Sequence, residues 1–180
     1  MQKILIVEDD PIQLEMLYET VHSRYPAWEI KKGSSLEAAQ AFLQESVTAN
    51  EYFTLFLLDI QLSKEPGDRN GFQLAQSLIQ MEKHPLVVFV TKRHEYAVQG
   101  YGIAFRYLVK PLDQTLFAAA MDAVLQELNS KHFTIEYDGV TMSLETSDIY
   151  FLESHGHKVL IHCKEQDLTL RMSIPEALEQ

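Results

Sequence analysis

The chain has 180 residues, with 15 basic and 26 acidic side chains and a formal net charge of -11 at pH 7. This excess of acid argues against nonspecific nucleic-acid binding by the chain as a whole. The single cysteine, Cys163, excludes an internal disulfide, and no apolar stretch is long enough for a signal-peptide core or a membrane span. We therefore expect a soluble, cytoplasmic protein with no membrane partner.

Short apolar runs recur through the first 130 residues. They stand at 4–7 (ILIV), 55–58 (LFLL), 86–90 (LVVFV) and 107–109 (YLV), with a weaker strand at 28–30. Continuous apolar runs, rather than alternating ones, are typical of strands buried on both faces of a parallel sheet. The pattern predicts five such strands.

Amphipathic segments separate the apolar runs and predict five helices. In the first, apolar residues follow the helical repeat at Leu14, Leu17, Tyr18 and Val21. The second carries Leu36, Ala39, Gln40 and Leu43, the third begins at Gly71, and the fourth covers about 94–102. The last covers about 113–130, with one stripe formed by Leu116, Ala120, Val124 and Leu128. Strands alternating with helices predict a doubly wound α/β domain over residues 1–130.

The sequence pattern changes after residue 130, where the helical repeat ends. Glycine turns appear, and Val159, Ile161 and Cys163 alternate with Leu160 and His162. This alternation predicts antiparallel β structure over most of residues 131–180. The last residues, SIPEALEQ, predict a helix that begins at an N-cap serine.

Polar side chains follow four of the predicted strands where each strand ends. They are Glu8, Asp9 and Asp10 after the first strand, Asp59 after the third, Thr91 after the fourth and Lys110 after the fifth. Ligands of an open α/β sheet bind at the carboxyl ends of its strands, so we expect these groups to share one edge. Asp10 stands directly before Pro11, which also suits a helix N-cap.

Clustered carboxylates repel one another unless a cation or a proton neutralises them. Oxygen ligands with open positions suit Mg²⁺, which takes one or two carboxylates together with a phosphate. An aspartate in such a site can act as a nucleophile toward phosphorus. The new phosphoryl oxygens need charge-assisted donors, which Lys110 and Thr91 can supply. The pattern predicts that Asp59 is phosphorylated.

The segments ILIVEDD, LLDIQL, VFVT and YLVKP, in that order, resemble the receiver domain of two-component response regulators. The resemblance covers roughly residues 1–130 and implies a flavodoxin-like, five-stranded parallel sheet. It also implies that a sensor histidine kinase phosphorylates Asp59, with at most slow self-dephosphorylation and no other enzymatic activity.

The resemblance assigns further roles within the site. Glu8, Asp9 and Asp59 would hold Mg²⁺, together with the backbone carbonyl of Gln61. Thr91 and Lys110 would contact the phosphoryl group, and the Lys110–Pro111 bond would be cis. Tyr107 is either an aromatic switch that turns inward when Thr91 moves or a residue that simply packs on its strand.

Two features depart from the pattern of the resembled family. Lys92 follows Thr91, where the family usually has a small residue. It could pair with Asp59, screen the site from water and slow dephosphorylation, or point to solvent. The loop at 63–70 is longer than in most receivers, which a surface loop tolerates at little cost in free energy, and it could also shape the kinase contact.

Residues 142–180 resemble the first half of a LytTR-type DNA-binding domain, chiefly through DIYFLESHGHKVLIH. By this resemblance His157 contacts a base and Lys158 a phosphate. Only four basic residues stand against nine acidic ones from residue 131 onward, a weak electrostatic footprint for DNA. We therefore expect a fragment of a longer protein that binds promoter DNA through the complete C-terminal domain.

Several alternatives stay open. His155 and His157 could bind a metal but are more simply solvated, and His162 is expected to be structural. The chain could act by protein contact alone, or be an aspartyl-phosphate phosphatase, although such enzymes place their nucleophile after the first strand. A flavin carrier is excluded because EDDPIQ would repel a phosphate. Phosphorylation would shift the fourth helix and the fifth strand, and that face would pair receivers into a homodimer.

Overall fold

The apolar runs form the five strands of a parallel sheet. The strands are β1 (Lys3–Val7), β2 (Glu29–Gly33), β3 (Leu55–Leu58), β4 (Leu86–Thr91) and β5 (Arg106–Val109). Their order in the sheet is β2-β1-β3-β4-β5, and every neighbouring pair is parallel. The predicted flavodoxin-like sheet is confirmed. Every residue of β3 and β4 is buried, which explains why both strands are apolar except for Thr91 at the end of β4.

The structure, a computed structural model, describes residues 2–63, 65, 68–81, 85–130, 132–137, 140–156, 158–165 and 167–171. The chain divides into two compact units, 1–121 and 122–180. The division falls inside the last helix, nine residues before the predicted domain boundary at 130. No helix in the described ranges has both the length and the apolar character needed to cross a membrane.

Four α-helices occur in the described residues. They are α1 (Pro11–Arg24), α2 (Leu36–Ala49), α3 (Asn70–Leu78) and α4 (Gln114–Ser130). Phe72, Leu74 and Leu78 of α3 pack in a buried cluster with Phe56 and Phe89 of the central strands. This packing sets α3 against the end of β3, next to the polar edge of the sheet.

The predicted fourth helix at 94–102 is wrong. The chain forms only a short 3₁₀ turn at His94–Tyr96 and continues in turns. Gly102 has a φ of 86°, a left-handed conformation that glycine adopts at little cost and that a right-handed helix does not contain. Backbone bonds of helical spacing occur singly, from Gly100 to Tyr96 and from Ala104 to Gly100, among shorter turns such as Ile103 to Gly100, and do not continue as a helix.

The predicted buried stripe of α4 is wrong at its first residue. Leu116 is 63% exposed, whereas Ala120, Val124 and Leu128 are buried. Residues spaced by four rotate about 40° per step around a helix of 3.6 residues per turn, so a stripe of this length drifts across the surface. The neighbouring Phe117 is buried in place of Leu116.

The second unit contains antiparallel sheets, as the alternation predicts. β6 (His132–Tyr137) pairs with β7 (Val140–Glu145), and β8 (Ile149–His155), β9 (Lys158–Cys163) and β10 (Leu168–Leu170) form a three-stranded sheet. The hydrophobic core of the second unit contains Ile135, Val159, Ile161, Leu168 and Leu170. The helix predicted for the last residues lies outside the described residues.

Candidate functional site

The Asp59 side chain lies at the carboxyl edge of the parallel sheet, where β3 ends. Its backbone amide donates to the carbonyl of Val7 at 2.9 Å, which fixes its position against β1. The Thr91 hydroxyl donates to Oδ1 at 2.6 Å, and the amide of Gln61 donates to the same oxygen at 3.2 Å. Lys110 Nζ donates to Oδ2 at 2.6 Å. Both carboxylate oxygens are thus held in place by donors.

Lys110 bridges two acids that are far apart in sequence. Its ammonium donates to Oε2 of Glu8 as well as to Asp59, and the three side chains are 8%, 1% and 10% exposed. Burial raises the pKa of Glu8 to about 7, although the bond from Lys110 acts in the opposite direction. The buried Lys110 ammonium thus binds both carboxylates, those of Glu8 and Asp59.

Thr91 and Tyr107 are linked through the backbone of Arg93. Thr91 is fully buried, and its Oγ1 accepts the Arg93 amide at 3.2 Å. The Tyr107 hydroxyl donates to the Arg93 carbonyl, and its ring lies edge-on to Phe89 at 5.7 Å between centroids. Burial raises the pKa of Tyr107 to about 12. Tyr107 therefore packs on its strand, and its role as a switch stays a prediction.

The two acids that follow Glu8 have different environments. Asp10 is the N-cap of α1: its carboxylate accepts the amides of Ile12 and Gln13 at 2.9 and 3.3 Å and the Gln13 side-chain amide at 2.9 Å. The bonds from Gln13 contribute most to lowering the pKa of Asp10. The carboxylate of Asp9 makes no hydrogen bond or ion pair within the described part of the chain, which leaves it free for a ligand.

Asp10→Ala is expected to lower the Tm by about 3 °C, because it removes the side-chain acceptor for the first turn of α1. Asp9→Ala is the matched control at the adjacent position and should leave the Tm unchanged or slightly raised, since it removes a repelling charge. Thermal unfolding followed by circular dichroism measures both. Equal losses in the two variants would contradict the assigned cap.

An open cavity of about 450 Å³ lies above this edge, and its lining includes Asp9, Asp59, Gln61 and Lys92. No group of three carboxylate, histidine or cysteine side chains among the described residues is arranged to hold a metal by itself. A cation here would take backbone and water oxygens in addition to the carboxylates, which is the preference of Mg²⁺. The Asp9 carboxylate, which lines the same cavity as Asp59, fits such an ion.

The proposed pairing of Lys92 with Asp59 is not observed, because Lys110, Thr91 and Gln61 supply the contacts to Asp59. Lys92 is exposed, and its charge makes only the smallest contribution to lowering the pKa of Asp10. The Lys110–Pro111 peptide bond is cis, as predicted.

Sequence reasoning missed the side-chain pair formed by Arg93 and Gln61. Arg93 donates from Nε and Nη2 to Oε1 of Gln61, at 3.0 and 2.6 Å. Both residues line the cavity. They are 32 positions apart, so no local pattern in the sequence signals the contact.

In the second unit, Lys158 is exposed at the start of β9, whereas His157 lies outside the described residues. His155 contacts Glu153 at 3.1 Å. His162 is half-buried, stacks on Phe151 at 4.1 Å between centroids and contacts Glu153 and Asp167. These contacts give His162 the structural role that was predicted.

A β2-β1-β3-β4-β5 parallel sheet with acids, a threonine and a lysine at its carboxyl edge defines an α/β domain of the receiver type. The chain belongs to the response regulator receiver domain family, whose model matches residues 4–122.

Named relatives extend the similarity. The sensory transduction protein LytR of Streptococcus agalactiae is 33% identical over 124 residues, which are 68% of this chain and 47% of LytR. The transcriptional regulatory protein YpdB of Escherichia coli is 24% identical over 195 aligned positions, covering 97% of this chain and 74% of YpdB. The chain spans about half the length of curated relatives such as LytR.

Solved structures of receivers share the fold. The response regulatory domain of mrkE from Klebsiella pneumoniae has a TM-score of 0.60 at 24% identity, over 72% of this chain and 99% of that one. The response regulator TrrA from Thermotoga maritima, in complex with Mg(2+)-BeF, has a TM-score of 0.55 at 23% identity, over 69% of this chain and 99% of that one.

Proposed function

We propose that this chain is part of a two-component response regulator that accepts a phosphoryl group on Asp59 from a sensor histidine kinase. The observation that carries the proposal is the Asp59 carboxylate, held between the Thr91 hydroxyl and the Lys110 ammonium beside an acid-lined cavity. The chain would act as a regulator, with at most slow self-dephosphorylation.

The contacts to Asp59 suggest how the transfer proceeds. A carboxylate oxygen of Asp59 forms the bond to phosphorus as the bond from phosphorus to the kinase histidine nitrogen breaks, and that electron pair stays with the histidine. The phosphoryl group then brings oxygens that need donors. Lys110 and Thr91 already reach the acceptor carboxylate and can turn to these oxygens. The Gln61 amide keeps the acceptor oriented.

We assign Mg²⁺ as the cofactor. Asp9 and Asp59 would hold it through their carboxylates, and Gln61 through its backbone carbonyl. Glu8 lines the same cavity and would contribute indirectly, because its carboxylate accepts a bond from Lys110. When bound, Mg²⁺ neutralises the charge that accumulates between these acids and the phosphoryl oxygens. Asp9 supports this assignment because its carboxylate is not used by other described residues.

The output would be transcriptional. The relatives include a sensory transduction protein and a transcriptional regulatory protein, and the antiparallel strands after the receiver are the kind of structure expected at the start of a LytTR-type domain. In the whole protein, the complete C-terminal domain would bind promoter DNA, with His157 and Lys158 among its contacts. We propose a cytoplasmic location, a receiver over 1–130, the start of the DNA-binding domain at 131–180, and a homodimer that forms on phosphorylation.

Intact mass measured after incubation with acetyl phosphate tests the acceptor chemistry. We expect one phosphoryl adduct in the presence of Mg²⁺ and none in the presence of EDTA, because the acids of the cavity would otherwise repel the donor. The adduct should be removed by hydroxylamine, which cleaves acyl phosphates. The proposal fails if the chain takes no adduct from acetyl phosphate and none from a histidine-kinase donor.

A further inference from the structure

Arg93 contacts three different parts of the candidate site. Its amide donates to Thr91 Oγ1 at 3.2 Å, and its carbonyl accepts from the Tyr107 hydroxyl. Its guanidinium donates twice to the side-chain oxygen of Gln61. Arg93 therefore joins the hydroxyl that holds Asp59, the aromatic side chain of β5 and the loop that follows β3.

The Gln61 side chain extends this connection into the loop. Its oxygen receives the two Arg93 bonds, and its Nε2 donates to the carbonyls of Ser63 and Glu65 at 2.9 and 3.2 Å. The guanidinium can only donate and the carbonyls can only accept, so these partners fix the orientation of the amide. One side chain thus links Arg93 to the backbone of the loop.

The end of the loop nearest α3, at Arg69, also contacts the residues that follow β4. The Arg69 guanidinium lies over the Tyr96 ring, 5.8 Å from its centroid, and Tyr96 packs against Phe72 of α3. The loop between β3 and α3 is therefore held at both ends by residues 93–96. Two separate contacts, at Gln61 and at Arg69, thus connect described residues of the loop to residues 93–96.

We propose that Arg93 is a positioning residue through which the phosphorylation state of Asp59 sets the conformation of the loop between β3 and α3. This inference rests on the proposed function. Thr91 donates to Asp59 and accepts from Arg93, so a Thr91 hydroxyl that turns to a phosphoryl oxygen changes the bond to the Arg93 amide. The Arg93 guanidinium transmits that shift to Gln61 and the loop carbonyls. The described residues of the loop then take a different conformation in each state.

Hydrogen exchange of the 180-residue chain, followed by mass spectrometry with and without Mg²⁺ and beryllofluoride, tests this role. We expect exchange of the loop amides in the native chain to change when beryllofluoride binds. Arg93→Ala should speed loop exchange by roughly tenfold in the free state, since it removes charge-assisted bonds, and should abolish the change on activation. Arg24→Ala, the same substitution at the end of α1, is the matched control and should behave as the native chain does.

A double variant separates coupling from a general loss of structure. If Arg93 acts through Gln61, then Gln61→Ala should match or exceed the loop effect, because it also removes the bonds to the Ser63 and Glu65 carbonyls. The double variant should then exchange no faster than Gln61→Ala alone. Additive effects would overturn the proposal, as would a native loop that does not respond while peptides around Thr91 do. If the native chain takes no phosphoryl adduct and responds nowhere to beryllofluoride, the proposed function fails and this inference fails with it.

Discussion

Asp59→Asn is expected to abolish the Mg²⁺-dependent phosphoryl adduct, with a loss of at least about 100-fold in the amount formed. The carboxamide has nearly the same shape as the carboxylate, but its neutral oxygen is a poor nucleophile toward phosphorus. Its nitrogen side would also face Lys110 or Thr91, which now donate to the two carboxylate oxygens. Intact mass after acetyl phosphate treatment gives the yield directly.

Asp68→Asn is the matched control for this prediction. Asp68 lies in the loop after Asp59, where its carboxylate accepts the amides of Leu62 and Asn70 at 3.1 and 2.9 Å, and it does not line the cavity. This variant should take the adduct as the native chain does. Urea unfolding would show that both variants fold. An adduct that persists on Asp59→Asn would move the acceptor to another acid of the cavity, first of all Asp9.

Gly71→Ala is expected to lower the free energy of unfolding by about 3 kcal/mol, at the upper end of the cost of overpacking. A Cβ at Gly71 would lie 1.8 Å from the backbone oxygen of Asp59 and 3.1 Å from the Cα of Ile60. Both neighbours are backbone atoms, so α3 must move away from the end of β3. That movement also breaks the hydrogen bond from the Gly71 amide to the Ile60 carbonyl.

The same substitution should reduce phosphorylation, because the displaced backbone carries Asp59. Gly33→Ala is the matched control: an added Cβ there meets its nearest atom, the Ala39 amide nitrogen, at 3.5 Å, an ordinary contact. Urea unfolding and the rate of adduct formation should be close to native in this variant. A free energy of unfolding close to native in Gly71→Ala would contradict this prediction, because it would show that α3 can move away from β3 at little cost in free energy.

The sheet and the position of Asp59 at its carboxyl edge were predictable because their signals are local. A strand buried on both faces must be apolar along its whole length, and Leu55–Leu58 fulfils that condition before Asp59. The helix N-cap at Asp10 was equally predictable, because an acid directly before a proline is a short-range sequence pattern. Prediction was wrong at 94–102 and at Leu116, where the detailed path of the backbone and the rotation of a helix face decide the outcome.

The sequence by itself determined the order of the strands in the parallel sheet and the polar residues that end them, because these follow from hydrophobic periodicity and from the right-handed connections of such a sheet. Only the tertiary structure decided how those residues pair. Lys110 lies between Glu8, 102 positions away, and Asp59, 51 positions away, and Arg93 reaches Gln61. Contacts across such distances depend on strand register, on helix packing and on the directions in which side chains leave their strands. These are fixed only when the whole core is assembled.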